Sequence, residues 1–176
     1  LDTLCDDIAT VDATCDIVVV DDGSSPPYEL GSYHNVTTLR TEGVGPARAR
    51  NEGVRQSSGD IIFFTDDDVT IQPGWLRNGL RYLAEHPEAA GVTGATTSPT
   101  YSALYEHSVE DLDGGSFLTC NVAYRREAFE SVGGFDRLFP HAAHEDRDLA
   151  WRIQRSVGPV GFAPAMRVVH PGRPFS

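Results

Sequence analysis

Two short apolar runs, each followed directly by aspartates, dominate the hydrophobic pattern of this chain. One run is Ile61–Phe64, which is followed by Thr65 and the acidic turn 66–68 (Asp66, Asp67 and Asp68). The other, residues 17–20, ends at Asp21 and Asp22. An unbroken apolar run that stops at polar residues predicts a strand buried on both faces of a sheet. Ligands of open α/β sheets collect beyond the carboxyl ends of the strands, so we expect these aspartates at a binding site.

The remaining periodicities predict helices that alternate with strands. Helices are predicted over 1–9, 46–56, 102–111 and 126–132, from Pro73 through Leu83, and after His144. Further strands are predicted over 36–39, 89–93, 117–124, 160–162 and 167–170, with a loop over 95–101. This alternation indicates a mixed, mostly parallel α/β sheet flanked by helices.

Composition narrows the classes of function. The chain has 176 residues, 40% of them hydrophobic and 23% charged, which is typical of one globular domain. Its net charge of -12 argues against binding nucleic acid or an anionic membrane surface. Three widely spaced cysteines without a CxxC pair indicate reduced thiols and a cytoplasmic protein. No apolar run is long enough to span a bilayer, so contact with the inner face of a membrane would need partners or segments outside this chain.

The acidic turn 66–68 also predicts a metal. Three successive carboxylates repel one another, and a divalent cation held by hard oxygen ligands would offset that repulsion. A solvated acidic turn without a metal is the alternative.

Several motifs, in this order, resemble the inverting family-2 glycosyltransferases of the GT-A fold. They are the segments 18–24, 49–53, 59–68, Asn121, 133–136 and 144–149. The resemblance covers residues 16–170. It implies a single GT-A domain over 1–176, a Rossmann-like fold of nucleotide-diphospho-sugar transferases, with 1–95 binding the nucleotide-sugar and 96–176 the acceptor. The family's first strand, whose turn touches the nucleobase, has no counterpart here, so the domain is predicted to lack it.

The resemblance also implies roles for particular residues near the donor. Asp68 would be the direct ligand of a Mg²⁺ or Mn²⁺ ion that neutralises the departing diphosphate, with Asp66 nearer the ribose and Asp67 in the same DxD-like element. His170 would complete the shell of the metal, although a His-Pro-Gly surface turn is an equal alternative. Asp21 and Asp22 would meet the nucleobase; otherwise they cap the strand exit as an Asx turn.

Other residues lie on predicted helices. Asp146 is the candidate general base by resemblance, in a pair with Glu145, and the balance of effects on its pKa stays open from sequence. Asp148 is expected to form an ordinary pair with Arg152. Arg48 and Arg50 are candidates for contacting the diphosphate, with solvated charge as the alternative. Core packing is expected for Trp151, with stacking on an acceptor sugar as the alternative, and Cys120 is expected to be buried.

The predicted function is therefore a metal-dependent inverting glycosyltransferase. It would move a sugar from a UDP-, GDP- or dTDP-sugar to a hydroxyl of a sugar, lipid or protein acceptor, in glycan, polysaccharide or glycolipid synthesis. A catalytically silent sugar-nucleotide-binding domain, or a fragment that needs a partner, is the alternative from another class. A nucleotidyltransferase is a third candidate, but the basic, Gly-rich triphosphate loop that it normally needs is not visible.

Overall fold

The computed structural model describes residues 1–31, 33, 35–98, 106–107, 109–139, 141, 144–171 and 173–174. Its helices are α1 (Asp2–Ile8), α2 (Pro46–Gln56), α3 (Trp75–Glu85), α4 (Arg126–Ser131) and α5 (Glu145–Ser156). Its strands are β1 (Ile17–Asp22), β2 (Val36–Thr41), β3 (Ile61–Phe64), β4 (Thr70–Ile71), β5 (Gly91–Thr97), β6 (Glu106–His107), β7 (Val122–Arg125), β8 (Val160–Val169) and β9 (Arg173–Pro174). Among these residues, no helix has the length and apolarity that crossing a membrane requires.

The central sheet is mixed, with five strands in the order β3-β7-β5-β8-β4. The two longest strand pairings in the described part of the chain are parallel, β1 with β2 and β5 with β8. Antiparallel pairing enters through β7, which lies between β3 and β5, and through β4 at the edge beside β8. The helices pack on both faces of this sheet, so the predicted α/β class is confirmed.

Strand β1 differs from the interior strands. It pairs with β2 on one edge, and the described residues provide no strand partner on its other edge. Residues 17–20 are therefore only partly buried, whereas the first six residues of β5 are all buried. The prediction of a fully buried strand is wrong for this run, because burial on both faces requires neighbours that cover the whole strand.

Two other predicted strands have different bounds in the structure. Strand β5 extends to Thr97, through residues that were predicted as a loop, because its parallel pairing with β8 continues to that point. The predicted strands 160–162 and 167–170 are one strand, β8. A register shift between Gly94 and Ala95 lets β8 bulge and continue. Pro164 at the centre of β8 conceals that continuity in the sequence, because a proline within a run argues against an unbroken strand.

The segment before β7 was also mispredicted. The described part of the predicted helix 102–111 is not helical: β6 pairs with β9, and Asp111 forms a bridge with Thr96. Residues 102–105 and 108 lie outside the described residues. The predicted strand 117–124 begins only at Val122, after a short 3₁₀ turn over Thr119–Asn121. Phe117 has φ 54°, which is incompatible with an extended strand.

The core has two parts, one on each face of the sheet, as the alternation along β3 requires. Phe64 packs with Phe129 and Phe135 on one face, whereas Phe63 packs with Trp75 on the other. Helix α5 covers the first face. The core-packing prediction for Trp151 is wrong, because this side chain is 57% exposed on the outer side of α5.

Candidate active site

Pairing between β4 and the end of β8 brings the acidic turn next to His170. Asp66 and Asp68 lie between β3 and β4, and His170 directly follows β8, where Thr70 pairs with Val169. One side-chain ligand atom from each of Asp66, Asp68 and His170 lies within 4.8 Å of the others. The distance from His170 Nε2 to Asp68 Oδ1 is 3.7 Å. We call these three residues the acidic cluster. Asp67 is exposed and lies outside it.

The imidazole of His170 is held in an orientation that suits a metal ligand. The residue is 5% exposed, and its backbone amide donates to the carbonyl of Thr97 over 2.8 Å. Its Nδ1 lies 2.8 Å from the carbonyl oxygen of Pro171. In the tautomer that donates this hydrogen bond, Nε2 carries a lone pair facing Asp68, which is the usual outer-shell arrangement of a metal-binding histidine. Two carboxylates and one imidazole fit Mn²⁺ better than Mg²⁺, which prefers oxygen ligands alone.

Arg50 connects the acidic cluster to the start of α5. Its Nη1 donates to Glu145 Oε1 over 2.8 Å, and its Nη2 donates to Asp66 Oδ1 over 3.0 Å. The guanidinium also lies 5.8 Å from the centroid of the Phe135 ring. Glu145 is 4% exposed, and the guanidinium of Arg50 is the hydrogen-bond partner that compensates for its burial. The predicted contacts of Arg50 and Arg48 with a diphosphate stay predictions.

Arg48, two residues earlier on α2, is exposed. Its Nε donates to the backbone carbonyl of Arg137 over 3.2 Å. Its guanidinium therefore reaches the loop that follows α4 rather than the acidic cluster.

The surroundings of Asp146 shift the pKa of its carboxyl upward. Burial raises the pKa of Asp146, and the negative charge of Glu145 raises it further. The backbone amide of Arg147, which donates to Asp146 Oδ1 over 2.7 Å, and the charge of Arg50 lower the pKa, but the net shift is upward. The structure thus resolves a balance that the sequence left open, because the extent of burial was not readable from it.

The aspartates at the end of β1 accept hydrogen bonds from the chain itself. Asp21 accepts from the amides of Ser24 and Tyr28 over 2.8 and 3.1 Å and forms an ion pair with Arg40. Hydrogen bonds from Ser24 are the main reason that the pKa of Asp21 is lowered to about 2. The turn-forming alternative holds for Asp21, and contact with a nucleobase stays a prediction.

Asp22 organises the loop that leads into α2. It accepts from the Thr41 hydroxyl over 2.6 Å and from the amides of Val44 and Gly45 over 2.8 Å each. Burial opposes the ionisation of Asp22, but these hydrogen bonds outweigh it, so the pKa of Asp22 is lowered. Because Gly45 is the N-cap of α2, this carboxylate fixes where the helix begins.

Asn51 joins the sequence motif 49–53, to which it belongs, to the motif 133–136. Its Nδ2 donates to the carbonyl of Phe135 over 2.8 Å, and its Oδ1 accepts from the amide of Phe135 over 3.0 Å. A Cβ on Gly134, which has φ 71°, would lie 2.6 Å from Asn51 Oδ1. The pair of Asp148 and Arg152 holds the same turn, because Arg152 also donates to the carbonyls of Val132 and Gly134. The predicted pairing of Asp148 with Arg152 is confirmed.

Two buried groups beneath the site had no predicted role there. Cys120 is buried, as expected, and burial followed by the charges of Asp66 and Asp68 raises the pKa of its thiol to about 12. Burial and then the charge of Asp146 raise the pKa of Tyr124, whose hydroxyl has no hydrogen-bond partner in the described part of the chain. Their positions in strand-like segments indicated burial, but the sequence gave no sign of their proximity to acids that lie far away along the chain.

The architecture is that of the GT-A glycosyltransferases. TarS from S. aureus, residues 1–349 in complex with UDP, aligns with a TM-score of 0.67 and 16% identity over 97% of this chain and 56% of that one. Mannosyltransferase PcManGT from Pyrobaculum calidifontis, in complex with GDP-Man and Mn²⁺, aligns with a TM-score of 0.64 and 20% identity over 96% and 52%. At these identities the likeness establishes the fold alone.

Sequence comparison defines the family. The sequence profile of glycosyl transferase family 2 matches residues 3–133, and the chain belongs to that family. A pre-mycofactocin glycosyltransferase of Mycobacterium tuberculosis is 30% identical over 182 aligned positions, which cover 89% of this chain. The alignment covers only 37% of that relative's length. Asp146 and His170 lie beyond the residues that the family profile matches.

Proposed function

We propose that this domain is a metal-dependent inverting glycosyltransferase that uses a nucleotide-diphospho-sugar as donor. One observation carries the proposal: the acidic cluster, which could hold a cation, is joined through Arg50 to the helix start that presents Asp146. Family membership supports it, as do the UDP in the TarS structure and the GDP-Man and Mn²⁺ in the PcManGT structure.

The proposed reaction is a single displacement at the anomeric carbon. Asp146 accepts the proton of the acceptor hydroxyl, and the acceptor oxygen attacks the anomeric carbon from the side opposite the diphosphate, which inverts its configuration. A divalent cation held by Asp66, Asp68 and His170 would supply positive charge against the leaving diphosphate. Arg50 holds Asp66 and Glu145 at fixed positions, so the two ends of the reaction stay aligned.

The assignment of the remaining donor contacts rests on the family resemblance. We assign Asp21 and Asp22 to the nucleobase side, and Asp67, Arg48 and Arg50 to the ribose and diphosphate. The half 1–95 then binds the donor and the half 96–176 binds the acceptor. Calorimetric titration of UDP and GDP into Asp22→Asn and Arg48→Ala variants tests these assignments. An affinity equal to that of the wild type in both variants would exclude Asp22 and Arg48 as donor contacts.

We also infer that the sheet lacks one strand between β1 and β3. Helix α2, which connects β2 to β3, packs on β1 through Gly53 and Val20, yet β1 and β3 do not pair. Hydrogen exchange tests this inference. Amides of β1 that point toward β2 should exchange slowly and alternate with fast ones, whereas uniformly slow exchange along β1 would contradict it.

Donor turnover tests the proposed function. The purified domain is incubated with UDP-, GDP- and dTDP-sugars, with Mn²⁺, with Mg²⁺ or with a chelator, and release of the nucleoside diphosphate is measured. We expect release that depends on the cation, a large loss in Asp68→Asn, and full retention in Asp60→Asn, an exposed aspartate at the other end of β3. Release that is equal with a chelator present would overturn the metal dependence.

A sugar-nucleotide-binding domain without turnover is the second candidate, favoured by the unpaired edge of β1. Tight binding of a nucleotide-sugar with no release of diphosphate in the same assay would select it. Release of pyrophosphate instead would select the nucleotidyltransferase alternative.

A further inference from the structure

A cleft of about 470 Å³ lies along the exposed side of α5. The described residues that line it include three aromatic side chains, Phe117, Phe139 and Trp151. Polar side chains complete the lining: His144, Arg147, Asp148 and Gln154. Residues 147, 151 and 154 follow one another at helical spacing, so the cleft runs along α5 from its first turn.

The backbone around this cleft is strained at two places. Phe117 and His144 have φ values of 54° and 68°, and they are the non-glycine residues of the described chain with positive φ. Both line the cleft. Such conformations persist only where the surrounding structure fixes them, and they cluster at active sites and ligand-binding sites. Their occurrence on two separate segments that meet at one cleft indicates a binding surface.

The cleft also adjoins the candidate base. Arg147 lines the cleft, and its backbone amide donates to the carboxylate of Asp146 over 2.7 Å. The cleft therefore begins at the same first turn of α5 that carries Asp146, although Asp146 is not itself one of the lining residues. The side chain of Trp151 is 57% exposed. The guanidinium of Arg155 lies 5.2 Å from the centroid of the Trp151 ring and covers one face of the indole, so the other face is left for a ligand.

We propose that this cleft binds a sugar ring of the acceptor, stacked on Trp151, beside the first turn of α5 that carries Asp146. A pyranose has an apolar face of C–H groups and a rim of hydroxyls, which match the aromatic rings and the polar side chains respectively. Lipid chains lack groups that would use Arg147, Asp148 and Gln154. This inference rests on the proposed glycosyl transfer for its role, but the binding itself is measurable without turnover.

Tryptophan fluorescence provides the direct test. The chain has two tryptophans, Trp75 at 1% exposure and Trp151 at 57%, so acrylamide quenches Trp151 selectively. The probes are methyl glycosides of glucose, galactose, mannose and N-acetylglucosamine, with sorbitol as an acyclic control. We expect at least one glycoside to protect the emission of Trp151 in the wild type, whereas the residual emission of Trp151→Phe, which comes from buried Trp75, should not respond and so assigns the signal to Trp151. Protection no greater than that given by sorbitol, for every probe, would overturn the proposal.

Kinetics separate this inference from the proposed function. With an acceptor that is active in the wild type, Trp151→Ala should raise the acceptor KM about tenfold, which equals about 1.4 kcal/mol of binding. Donor hydrolysis should not change, and Trp151→Phe should restore most of the affinity. Val157→Ala, an exposed apolar residue at the end of the same helix, is the control. An unchanged KM in Trp151→Ala contradicts the cleft assignment even if transfer is normal, whereas glycoside binding without any donor turnover contradicts only the glycosyltransferase proposal.

Discussion

Glu145 and Asp66 are held by the same guanidinium, that of Arg50, although they lie 79 positions apart by residue number. Glu145 opens α5 directly before the candidate base, and Asp66 belongs to the acidic cluster. The guanidinium donates to the two carboxylates through different nitrogens, so it fixes their separation as well as balancing their charge. The two halves of the proposed site are thus positioned by one side chain from a third element, α2.

Replacing Arg50 by lysine should separate its positioning of the two carboxylates from its balancing of their charge. Lysine keeps the charge but offers a single ammonium, which cannot reproduce the fork of the guanidinium. We expect turnover to fall more than tenfold and the free energy of unfolding to fall by about 2 kcal/mol, since Glu145 stays buried with a poorer partner. Donor turnover and urea unfolding measure the two effects.

Arg55→Lys is the matched control for Arg50→Lys. Arg55 lies on the same helix and pairs with Glu52 at the surface, where ion pairs contribute little. This variant should behave as the wild type in both assays. If Arg50→Lys were equally silent, Arg50 would have no positioning role.

The sequence predicted the elements whose signals are local. Pro46 at the first position of α2 and the apolar run of β3 gave the bounds of both elements. Strand β8 was predicted as two strands, because Pro164 interrupts its centre and its continuity depends on the bulged pairing with β5. Trp151 was misplaced because an apolar residue on a helix predicts burial only when the helix is known to be covered on that side.

The candidate site could likewise be predicted only where its signals are local in the sequence. Acidic residues after apolar runs indicated where carboxylates gather, and the structure places Asp66, Asp68 and His170 together. The partners of Arg50 and the double hydrogen bond of Asn51 to Phe135 could not be predicted, since they join segments whose distance in space is set by the whole fold. A contact between segments that are distant in the sequence leaves no periodic pattern of hydrophobic and polar residues.

The raised pKa of Asp146 makes opposite predictions for stability and activity. A raised pKa in the folded state favours the protonated carboxyl, so its stabilising contribution is present below the ordinary aspartate pKa of 3.8 and is lost as the pH rises through the folded value. At neutral pH the buried charge is therefore unfavourable. We expect Asp146→Asn to be more stable than the wild type in urea at pH 7, and the gain to disappear below pH 3.8.

The same variant should lose transfer while it still binds the donor. In the wild type, turnover should fall with decreasing pH as Asp146 is protonated, with an apparent pKa above 3.8. Calorimetry with UDP and Mn²⁺ checks that binding is kept. Wild-type turnover in Asp146→Asn would remove Asp146 from the role of base.

Metal binding at the acidic cluster should appear as thermal stabilisation. A cation that binds only the folded chain adds about 2.7 kcal/mol at a hundredfold excess over its Kd, which raises Tm by several degrees. We expect Mn²⁺ to raise the Tm of the wild type and to have a much smaller effect on His170→Gln. His86→Gln is the control, since His86 lies on the surface beside Glu88. Equal shifts in both variants would place the ion elsewhere.

Asp21 predicts a loss of stability toward low pH. Its pKa is lowered to about 2, mainly by hydrogen bonds from Ser24, so its contribution is present above the ordinary value of 3.8 and is lost as the pH falls toward 2. Asp21→Asn should be less stable than the wild type at pH 7, and the difference should shrink between pH 3.8 and 2. Urea unfolding at these pH values, with the exposed Asp12→Asn as the control, measures it. A constant difference over the whole pH range would show that the carboxylate acts through the shape of the turn rather than through its charge.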